Sequence, residues 1–440
     1  MSAATAARPG ASGRSGERPL TVFLIAGEES GDRIGAPLIR ALREQHRGRL
    51  TVVGVGGDGM IAEGLAPLFP MNDIIVMGMD ESLRRLPTLI ARLRQAAAAA
   101  VAARPDVLVL IDAPDFNLRV ARRVRRRAPD IPIVDYVSPT VWAWRPGRAR
   151  VMARYVDRLL AILPFEPEVH ARLGGPPTVY VGHPLITSTG RRTGADATGH
   201  MPGGTSVPVP EAAGETPSAA APGSRQDDDR PVLLILPGSR AVELDRLLAI
   251  FGEALVLIDR RHPGGVRALL PAVGSLAERI AESVAGWPVR PEIVVGAEAK
   301  AAAFGAARAA IAASGTVTLE LALAGVPMVV AYRLDRFYRQ VVKRLNRVVR
   351  IVTAPSMVLA NIIIGRNAIP ELLDEEVTAE ALAGHALELL ADGAPRERQL
   401  AALAEVADKM AVSGSSPSAR AAAEILDLLA TRDASGAAAR

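Results

Sequence analysis

Hydrophobic and polar residues follow one repeating pattern through most of the chain. Continuous runs of β-branched residues and leucine end in glycine or a polar loop, and an amphipathic stretch follows each run. Such runs are typical of parallel strands that are buried on both faces and joined by crossover helices. The pattern therefore predicts an α/β protein, with strands at 21–26, 50–55, 107–111, 131–137, 159–163, 232–236, 266–270, 292–295, 309–313 and 328–332.

The predicted strands fall into two blocks, 20–188 and 231–410. Residues 189–230 contain no Leu, Ile, Phe, Tyr or Trp, so they cannot bury enough surface to offset their chain entropy and are predicted to form a flexible linker. Each block has the size of one α/β domain, and two doubly wound domains are the simplest assembly. The remaining segments are predicted as a disordered tail at 1–19, a C-terminal helix at 411–430 and a tail at 431–440.

Composition excludes several classes of site. The 440 residues include no cysteine, which rules out disulfides, thiolate metal sites and cysteine nucleophiles. Only 3% of residues are aromatic, which argues against a single-stranded nucleic acid partner. The net charge is +5, and 49 of the 52 basic residues are arginine. This excess favours bidentate contacts with phosphate or carboxylate, although a biased genomic composition explains it equally well.

No segment has the pattern of a membrane span. The first twenty residues lack the apolar core of a secretory signal, and the longest charge-free stretch of a predicted folded region, 351–365, is too short to cross a bilayer. We therefore expect a soluble or at most peripheral protein.

The loops after the first two strands differ in character. Residues 27–32, GEESGD, place three carboxylates where they would repel a pyrophosphate, so this turn suits a ligand with hydroxyls or amides; in the other interpretation, Asp32 simply caps a helix. Gly54, Gly56 and Gly59 satisfy GxGxxG, but they follow the second strand, which favours a close backbone turn over a nicotinamide site.

The loop after strand 107–111 contains Asp112 and Asp115. A carboxylate at a strand end can act as a general base if a substrate hydroxyl reaches it, and we favour this role for Asp112. For Asp115 we favour capping of the arginine-rich helix that follows. After the next strand come Trp142 and Trp144, of which we expect one to pack in the core.

The second block contains two loops suited to phosphate. In Pro237-Gly238-Ser239-Arg240, the amides of a helix start and the Arg240 guanidinium are predicted to converge on an anion, although a plain strand-to-helix turn is the alternative. Ser314, Gly315 and Thr316 open another helix, in which Glu320 could accept hydrogen bonds from a ribose diol. Together the loops suggest a nucleotide diphosphate.

Two stretches, 83–94 and 336–350, combine leucine or valine with regularly spaced basic residues. This pattern suits an anionic membrane surface or a phospholipid-like head group, and equally a solvated helix face.

In order, and across nearly all of residues 20–430, these motifs resemble those of bacterial lipid-A-disaccharide synthases. The matching segments are AGEESGD, GVGGDGM, MGMDESLRRLP, IDAPDFN, YVSPTVWAWR, VGHPL, LPGSR, ASGTVTLE and NIIIGRNAIPELL. The resemblance implies a GT-B glycosyltransferase with two Rossmann-like domains facing across a cleft. It implies joining of UDP-2,3-diacylglucosamine to 2,3-diacylglucosamine 1-phosphate (lipid X), with release of UDP.

The resemblance also assigns residues. It implies that Asp112 and Glu28 are catalytic, with Asp112 as the general base, and that no cofactor or metal takes part. The substrate-binding residues that it implies, together with those of the loops above, are Ser30, Asp32, Asp115, Arg240, Ser314, Gly315, Thr316, Glu320 and Asn361. It implies peripheral association with the anionic cytoplasmic face of the inner membrane. Two alternatives remain open, a UDP-sugar 2-epimerase of GT-B fold and a non-catalytic, nucleotide-regulated lipid-binding protein.

Overall fold

The computed structural model describes residues 18–75, 79–188, 229–333 and 356–438, with the backbone alone for 79–84, 187–188 and 435–438. The predicted N-terminal tail up to residue 17, linker residues 189–228 and the basic stretch 336–350 lie outside the described residues. The described chain forms two compact units. The first contains the residues up to Ser188 and from Val406 onward, and the second contains residues 229–333 and Ser356–Glu405.

Each unit is built on a parallel sheet. In the described ranges the first sheet has seven strands in the order β3-β2-β1-β4-β5-β6-β7, and the second has six in the order β10-β9-β8-β11-β12-β13. The strands are β1 Leu20–Ala26, β2 Leu50–Val55, β3 Leu65–Pro67, β4 Val107–Ile111, β5 Ile133–Tyr136, β6 Arg158–Ala161, β7 Thr178–Tyr180, β8 Val232–Leu236, β9 Arg267–Ala272, β10 Glu292–Val295, β11 Ala307–Ala313, β12 Met328–Tyr332 and β13 Glu371–Leu373.

Helices connect the strands, together with 3-10 turns at Met71–Asp73, Gly274–Leu276 and Asp374–Glu376. The helices are α1 Glu29–Gln45, α2 Asp58–Ala62, α3 Met79–Ala103, α4 Pro114–Arg127, α5 Gly147–Met152, α6 Glu166–Leu173, α7 Leu185–Ser188, α8 Ala241–Arg261, α9 Ala277–Val284, α10 Ala297–Ala306, α11 Thr316–Leu323, α12 Leu359–Ile364, α13 Ala379–Leu390, α14 Ala394–Met410 and α15 Pro417–Ala438.

The central strands β4 and β8 are apolar throughout, as expected where helices cover both faces of a sheet. All five residues of β4 are buried. One face of the first sheet packs against buried residues of α1 and α15, and the other packs against α3 and α4. Helix α15 lies along α1, and Arg158 at the start of β6 pairs with Glu424 and Asp427 of α15 at 2.9 and 3.0 Å.

The strand order of each sheet reverses once, and this places the loops of interest. In the first sheet the reversal lies between β1 and β4, and in the second between β8 and β11. Ligands of doubly wound sheets bind beyond the carboxyl ends of the strands at such a point. The loops beginning at Gly27 and Asp112 flank the first reversal, and those at Pro237 and Ser314 flank the second.

The predicted α/β class with two doubly wound sheets is confirmed. All ten predicted strands are present, with ends that differ by up to two residues. The sequence interpretation did not include β3, β7 and β13, each of which has three residues and lies at a sheet edge.

Candidate active site

Two loops of the first unit meet at the reversal point of its sheet. The backbone at Gly27, after β1, passes so close to the loop after β4 that an added Cβ atom would lie 2.2 Å from Cβ of Ala113. Ser30, in the first turn of α1, donates a 2.6 Å hydrogen bond from Oγ to Oδ2 of Asp112. Both loops were predicted as site loops, and the structure brings Ser30 and Asp112 into direct contact.

Asp112 has a strained backbone. Its φ is 56° and that of Ala113 is 43°, in the left-handed region that residues with a Cβ rarely adopt. The Asp112 N–H donates to the Tyr136 carbonyl at 3.0 Å, and the buried Asn117 side chain donates to the Asp112 carbonyl at 2.8 Å. Strain held in place in this way is found mainly at functional sites. This backbone conformation leaves the Asp112 carboxylate partly exposed at the end of β4. A carboxylate in that position can accept a proton from a hydroxyl.

Two further carboxylates lie in these loops. Glu28 is exposed and occupies the position before α1. Asp115 is 75% exposed and forms a 2.9 Å ion pair with Arg148. The expectation that Asp115 caps α4 is wrong, because Asp115 lies inside the first turn, the capping position belongs to Ala113, and no side chain accepts a capping hydrogen bond there.

Asp32 has an internal role. It lies within α1 and does not cap that helix; its carboxylate accepts hydrogen bonds from the N–H groups of Gly57, Gly59 and Met60 at 2.9 to 3.0 Å. These bonds hold the start of α2 against α1. The glycine-rich turn is close-packed, since a Cβ at Gly54 would lie 1.9 Å from the Leu24 carbonyl oxygen. Because these bonds use the Asp32 carboxylate, its contact with a ligand stays a prediction.

A cavity of about 460 Å³ lies beside the Asp112 loop. Its charged lining residues are Glu28, Asp115 and Arg119. Leu86 and Ile90 of its apolar wall are 45% and 37% exposed, which is unusual for large aliphatic side chains that form one surface. A lining of charged and large apolar side chains suits an amphiphilic ligand. The large apolar side chains of the wall are Ile74, Leu86, Leu89, Ile90, Leu93 and Phe116.

The loop after β5 is also strained. Val137 has a φ of 83° and Arg145 a φ of 53°. With Asp112 and Ala113, they are four of the six non-glycine residues of positive φ in the described chain. One tryptophan of this loop packs as expected: Trp142 donates to Glu166 at 3.4 Å and meets the ring of Phe165 edge to face.

Ser138, His170 and Glu166 form a buried polar cluster behind this loop. The Ser138 hydroxyl lies 2.9 Å from Nε2 of His170, and the Leu163 N–H donates to Glu166 at 3.0 Å. Burial raises the pKa of Glu166 to about 8 and lowers that of His170 to about 4. Both side chains are therefore mainly uncharged at neutral pH.

In the second unit, Arg240 and the backbone just before α8 both contact a side chain of the protein itself, so the anion site predicted here stays a prediction. Glu243 accepts a 3.1 Å hydrogen bond from the Ser239 N–H and lies 3.4 Å from the Arg240 guanidinium, which is 82% exposed. Gly238 has a φ of 117°, and a Cβ there would lie 2.4 Å from Oε2 of Glu243. The Glu243 carboxylate thus contacts the Ser239 N–H and the Arg240 guanidinium, two of the groups that were predicted to hold an anion. The sequence interpretation missed Glu243, although a glutamate three residues after the residue that precedes a helix is a known capping signal.

The other loop of the second unit begins α11. Ser314 donates a 2.6 Å hydrogen bond to the Met357 carbonyl, and Gly315 and Thr316 are exposed at the helix start. Glu320, one turn later, accepts a 2.5 Å hydrogen bond from Lys300 of α10. Lys300 was not predicted as a site residue, because its contact with Glu320 depends on the packing of two helices.

Asn361 is 2% exposed and uses its amide within the protein. Its Nδ2 donates to the Ile369 carbonyl at 2.9 Å, and its Oδ1 accepts from the N–H groups of Ala368 and Ile369. These bonds shape the turn between α12 and β13. A ligand role for Asn361 stays a prediction, and these contacts do not favour it.

Within the described ranges, no group of three or more His, Asp or Glu side chains could hold a metal ion. None of the helices searched in those ranges is both long enough and apolar enough to cross a membrane.

Comparison with solved structures identifies the fold class of this protein. Solved structures of similar fold include the calicheamicin glycosyltransferase CalG4, with a TM-score of 0.53 and 17% identity over 94% of this chain and 98% of that one. They also include a UDP-GlcNAc 2-epimerase from Neisseria meningitidis bound to UDP-GlcNAc, with a TM-score of 0.52 and 12% identity over 94% and 99% of the two chains. The chain therefore has the GT-B fold.

Sequence similarity is more specific. The profile of the lipid-A-disaccharide synthetase family matches residues 22–199 and 213–425. A lipid-A-disaccharide synthase from Rhodopseudomonas palustris is 49% identical over 408 residues, which are 93% of this chain and 95% of the relative. The chain belongs to the lipid-A-disaccharide synthase family, as its motifs predicted.

Proposed function

We propose that the protein transfers 2,3-diacylglucosamine from its UDP derivative to lipid X, giving the β-1,6-linked tetra-acyl disaccharide 1-phosphate and UDP. Family membership supports the reaction class. The observation that carries the acceptor assignment is the position of Asp112: a carboxylate held by Ser30 at the reversal point of the first sheet, beside a cavity with an apolar wall.

The acceptor side follows from these contacts. The hydroxyl of lipid X gives its proton to the Asp112 carboxylate as its oxygen attacks the anomeric carbon of the donor. The exposed aliphatic residues Leu86 and Ile90 suit contact with an acyl chain, while Glu28 and Asp115 suit hydrogen bonds with the sugar. Because the new bond forms on the face opposite the departing UDP, the anomeric configuration inverts.

The donor side uses the second unit. The bond between the anomeric carbon and the UDP oxygen breaks, and negative charge develops on the diphosphate. Arg240 and the N-termini of α8 and α11 supply N–H groups and partial positive charge to that oxygen. Ser314, Gly315 and Thr316 lie at the α11 end, and Glu320 suits the ribose hydroxyls. The diphosphate would replace the Glu243 carboxylate on the Ser239 N–H.

An arginine patch on the first unit supports association with an anionic membrane surface, proposed here as the cytoplasmic face of the inner membrane. The patch consists of Arg94 from α3 with Arg119, Arg122, Arg123 and Arg126 from α4, and Arg119 also lines the cavity. Burial and the four neighbouring guanidinium groups lower the pKa of Arg123. The patch is therefore a region of concentrated positive charge beside exposed Leu86 and Ile90, a combination suited to anionic head groups and acyl chains.

The test of the reaction is product identification. Purified protein is incubated with UDP-2,3-diacylglucosamine, with and without lipid X. We expect UDP and a tetra-acyl disaccharide 1-phosphate only when both substrates are present, with a β-linkage by NMR. An isomerised UDP-sugar formed without lipid X would favour the epimerase alternative. Binding of both substrates without a product would favour the non-catalytic alternative.

The membrane surface has a separate test. Arg122→Glu with Arg126→Glu should weaken binding to phosphatidylglycerol-containing vesicles by roughly 10-fold or more, since each arginine near such a surface contributes about 1 kcal/mol. Arg260→Glu with Arg261→Glu, at the far end of α8, makes the same charge change as a control. Equal loss in both double variants, or no loss in either, would contradict a docking surface on α4.

A further inference from the structure

Trp144 and Arg145, in the loop after β5, form a pair that the reaction described above does not use. Arg145 is exposed and Trp144 is half-buried. The Arg145 guanidinium lies 5.3 Å from the centre of the Trp144 ring. Unlike Arg148, which pairs with Asp115, Arg145 has no carboxylate partner among the described residues. An arginine stacked on an indole keeps its N–H edges available for a planar, bidentate contact with an anion.

Two contacts with buried residues fix the loop that holds this pair. Ser138 bonds with buried His170, and Trp142 donates to buried Glu166. Trp142 therefore anchors the loop, and Trp144 supports Arg145. The φ of 53° at Arg145 is one that arginine adopts only when its surroundings impose it. A strained residue that contributes nothing to the core points to a ligand.

The loop of this pair follows the carboxyl end of β5, and Asp112 follows the carboxyl end of the neighbouring strand β4. Strands β4 and β5 are neighbours, and the Asp112 N–H donates to the Tyr136 carbonyl. The Arg145 carbonyl accepts a 3.0 Å hydrogen bond from the Arg148 N–H, and the Arg148 side chain reaches Asp115. Arg145 is therefore one turn away from a residue that contacts the Asp112 loop.

We propose that Arg145, supported by Trp144, binds the phosphate monoester of the acceptor sugar. This inference rests on the proposed function, because only an acceptor that bears a phosphate uses the contact. The doubly charged phosphate accepts two parallel hydrogen bonds from the guanidinium. The contact selects a phosphorylated acceptor and orients its hydroxyl relative to Asp112.

The experiment compares two acceptors, lipid X and 2,3-diacylglucosamine without the phosphate. In the wild-type protein, lipid X should be preferred in kcat/KM by about 10- to 100-fold, as expected for a charged hydrogen-bonded pair. Arg145→Gln should reduce that preference to near unity by raising KM for lipid X. Arg145→Lys, which keeps the charge but not the fork, should retain part of it. Arg154→Gln removes an exposed arginine just after α5 and should keep the full preference.

Three control measurements show whether Arg145→Gln affects only the acceptor phosphate. UDP affinity and binding to phosphatidylglycerol vesicles should be unchanged in Arg145→Gln, and so should the thermal unfolding midpoint. If Arg145→Gln keeps the wild-type preference for lipid X, or loses only UDP or vesicle binding, the proposed phosphate contact is wrong. If the wild-type protein forms no disaccharide at all, it is the proposed function that fails.

Discussion

The Ser30 hydroxyl and the Asp112 carboxylate, joined by a 2.6 Å hydrogen bond, connect the ends of β1 and β4 across the reversal point of the first sheet. Oδ1 of Asp112 accepts a second hydrogen bond, from the Ala113 N–H at 2.9 Å. Each carboxylate oxygen can accept two hydrogen bonds, so both keep a lone pair for a substrate hydroxyl. The carboxylate is therefore fixed in orientation and still able to take a proton.

Asp112→Asn should lower kcat by about 100-fold or more, because an amide keeps the size of the side chain but cannot accept the proton. UDP affinity, measured by calorimetry, should be unchanged. Asp130→Asn, at an exposed position after α4, is the matched control. Turnover near the wild-type value would remove Asp112 from the general-base role.

Arg240→Gln should weaken UDP binding by about 10- to 100-fold, because it removes a charged hydrogen-bond donor at the start of α8. Arg261→Gln, in the last turn of the same helix, should leave UDP affinity as it is. If both variants bind UDP with the wild-type dissociation constant, the diphosphate does not bind at this loop.

Glu243→Gln should strengthen UDP binding, by roughly 3- to 10-fold at low salt, because the diphosphate no longer displaces a carboxylate from the Ser239 N–H. The gain should shrink at high ionic strength, where the repulsion is screened. Weaker binding in this variant would show instead that Glu243 supports the bound nucleotide.

Asp32→Ala should lower the free energy of unfolding by about 3 kcal/mol, since three N–H groups lose their acceptor. Urea unfolding measures this change. Unaltered stability combined with a raised KM for lipid X would place the Asp32 carboxylate at the ligand after all.

Glu166 should make stability depend on pH. Its pKa is raised to about 8 by burial, whereas in the unfolded chain it is near 4.5, so the native state holds the extra proton between these values. The free energy of unfolding should therefore fall by about 2 kcal/mol between pH 6.5 and 8. His170 has a pKa of about 4 in the native state and 6.5 in the unfolded chain, so it lowers the free energy of unfolding only as the pH falls below 6.5.

Glu166→Gln removes this titration, so its stability should fall by less than that of the wild-type protein over the same range. Chemical unfolding at both pH values measures the difference. Parallel curves for the two proteins would mean that Glu166 is already ionised in the native state.

The sequence was sufficient for the fold class because buried parallel strands leave a clear signal. β4 and β8 are continuous apolar runs, and their predicted limits match the structure. β3, β7 and β13 lie at sheet edges and have only three residues each, which is too short for a recognisable apolar run. β3 also ends in Pro67. Their pairing depends on the strand beside them rather than on their own sequence.

The candidate site was predictable as loops but not as contacts. Strand ends identified the positions of Asp112 and Arg240, since their location follows from topology alone. The contacts of Ser30 with Asp112 and of Lys300 with Glu320 depend on side-chain packing that no local pattern specifies, whereas Glu243 had a local capping signal. For the same reason, the sequence did not indicate the internal contacts of Asn361, and for Asp32 it offered helix capping but not the hydrogen bonds from Gly57, Gly59 and Met60.

The most direct test of the account is the rate of UDP release from UDP-2,3-diacylglucosamine as the concentration of lipid X increases from zero. Release should be negligible without lipid X, should saturate as lipid X increases and should be nearly abolished by Asp112→Asn. Release at the same rate with and without lipid X, or full release by the Asp112→Asn variant, would contradict it.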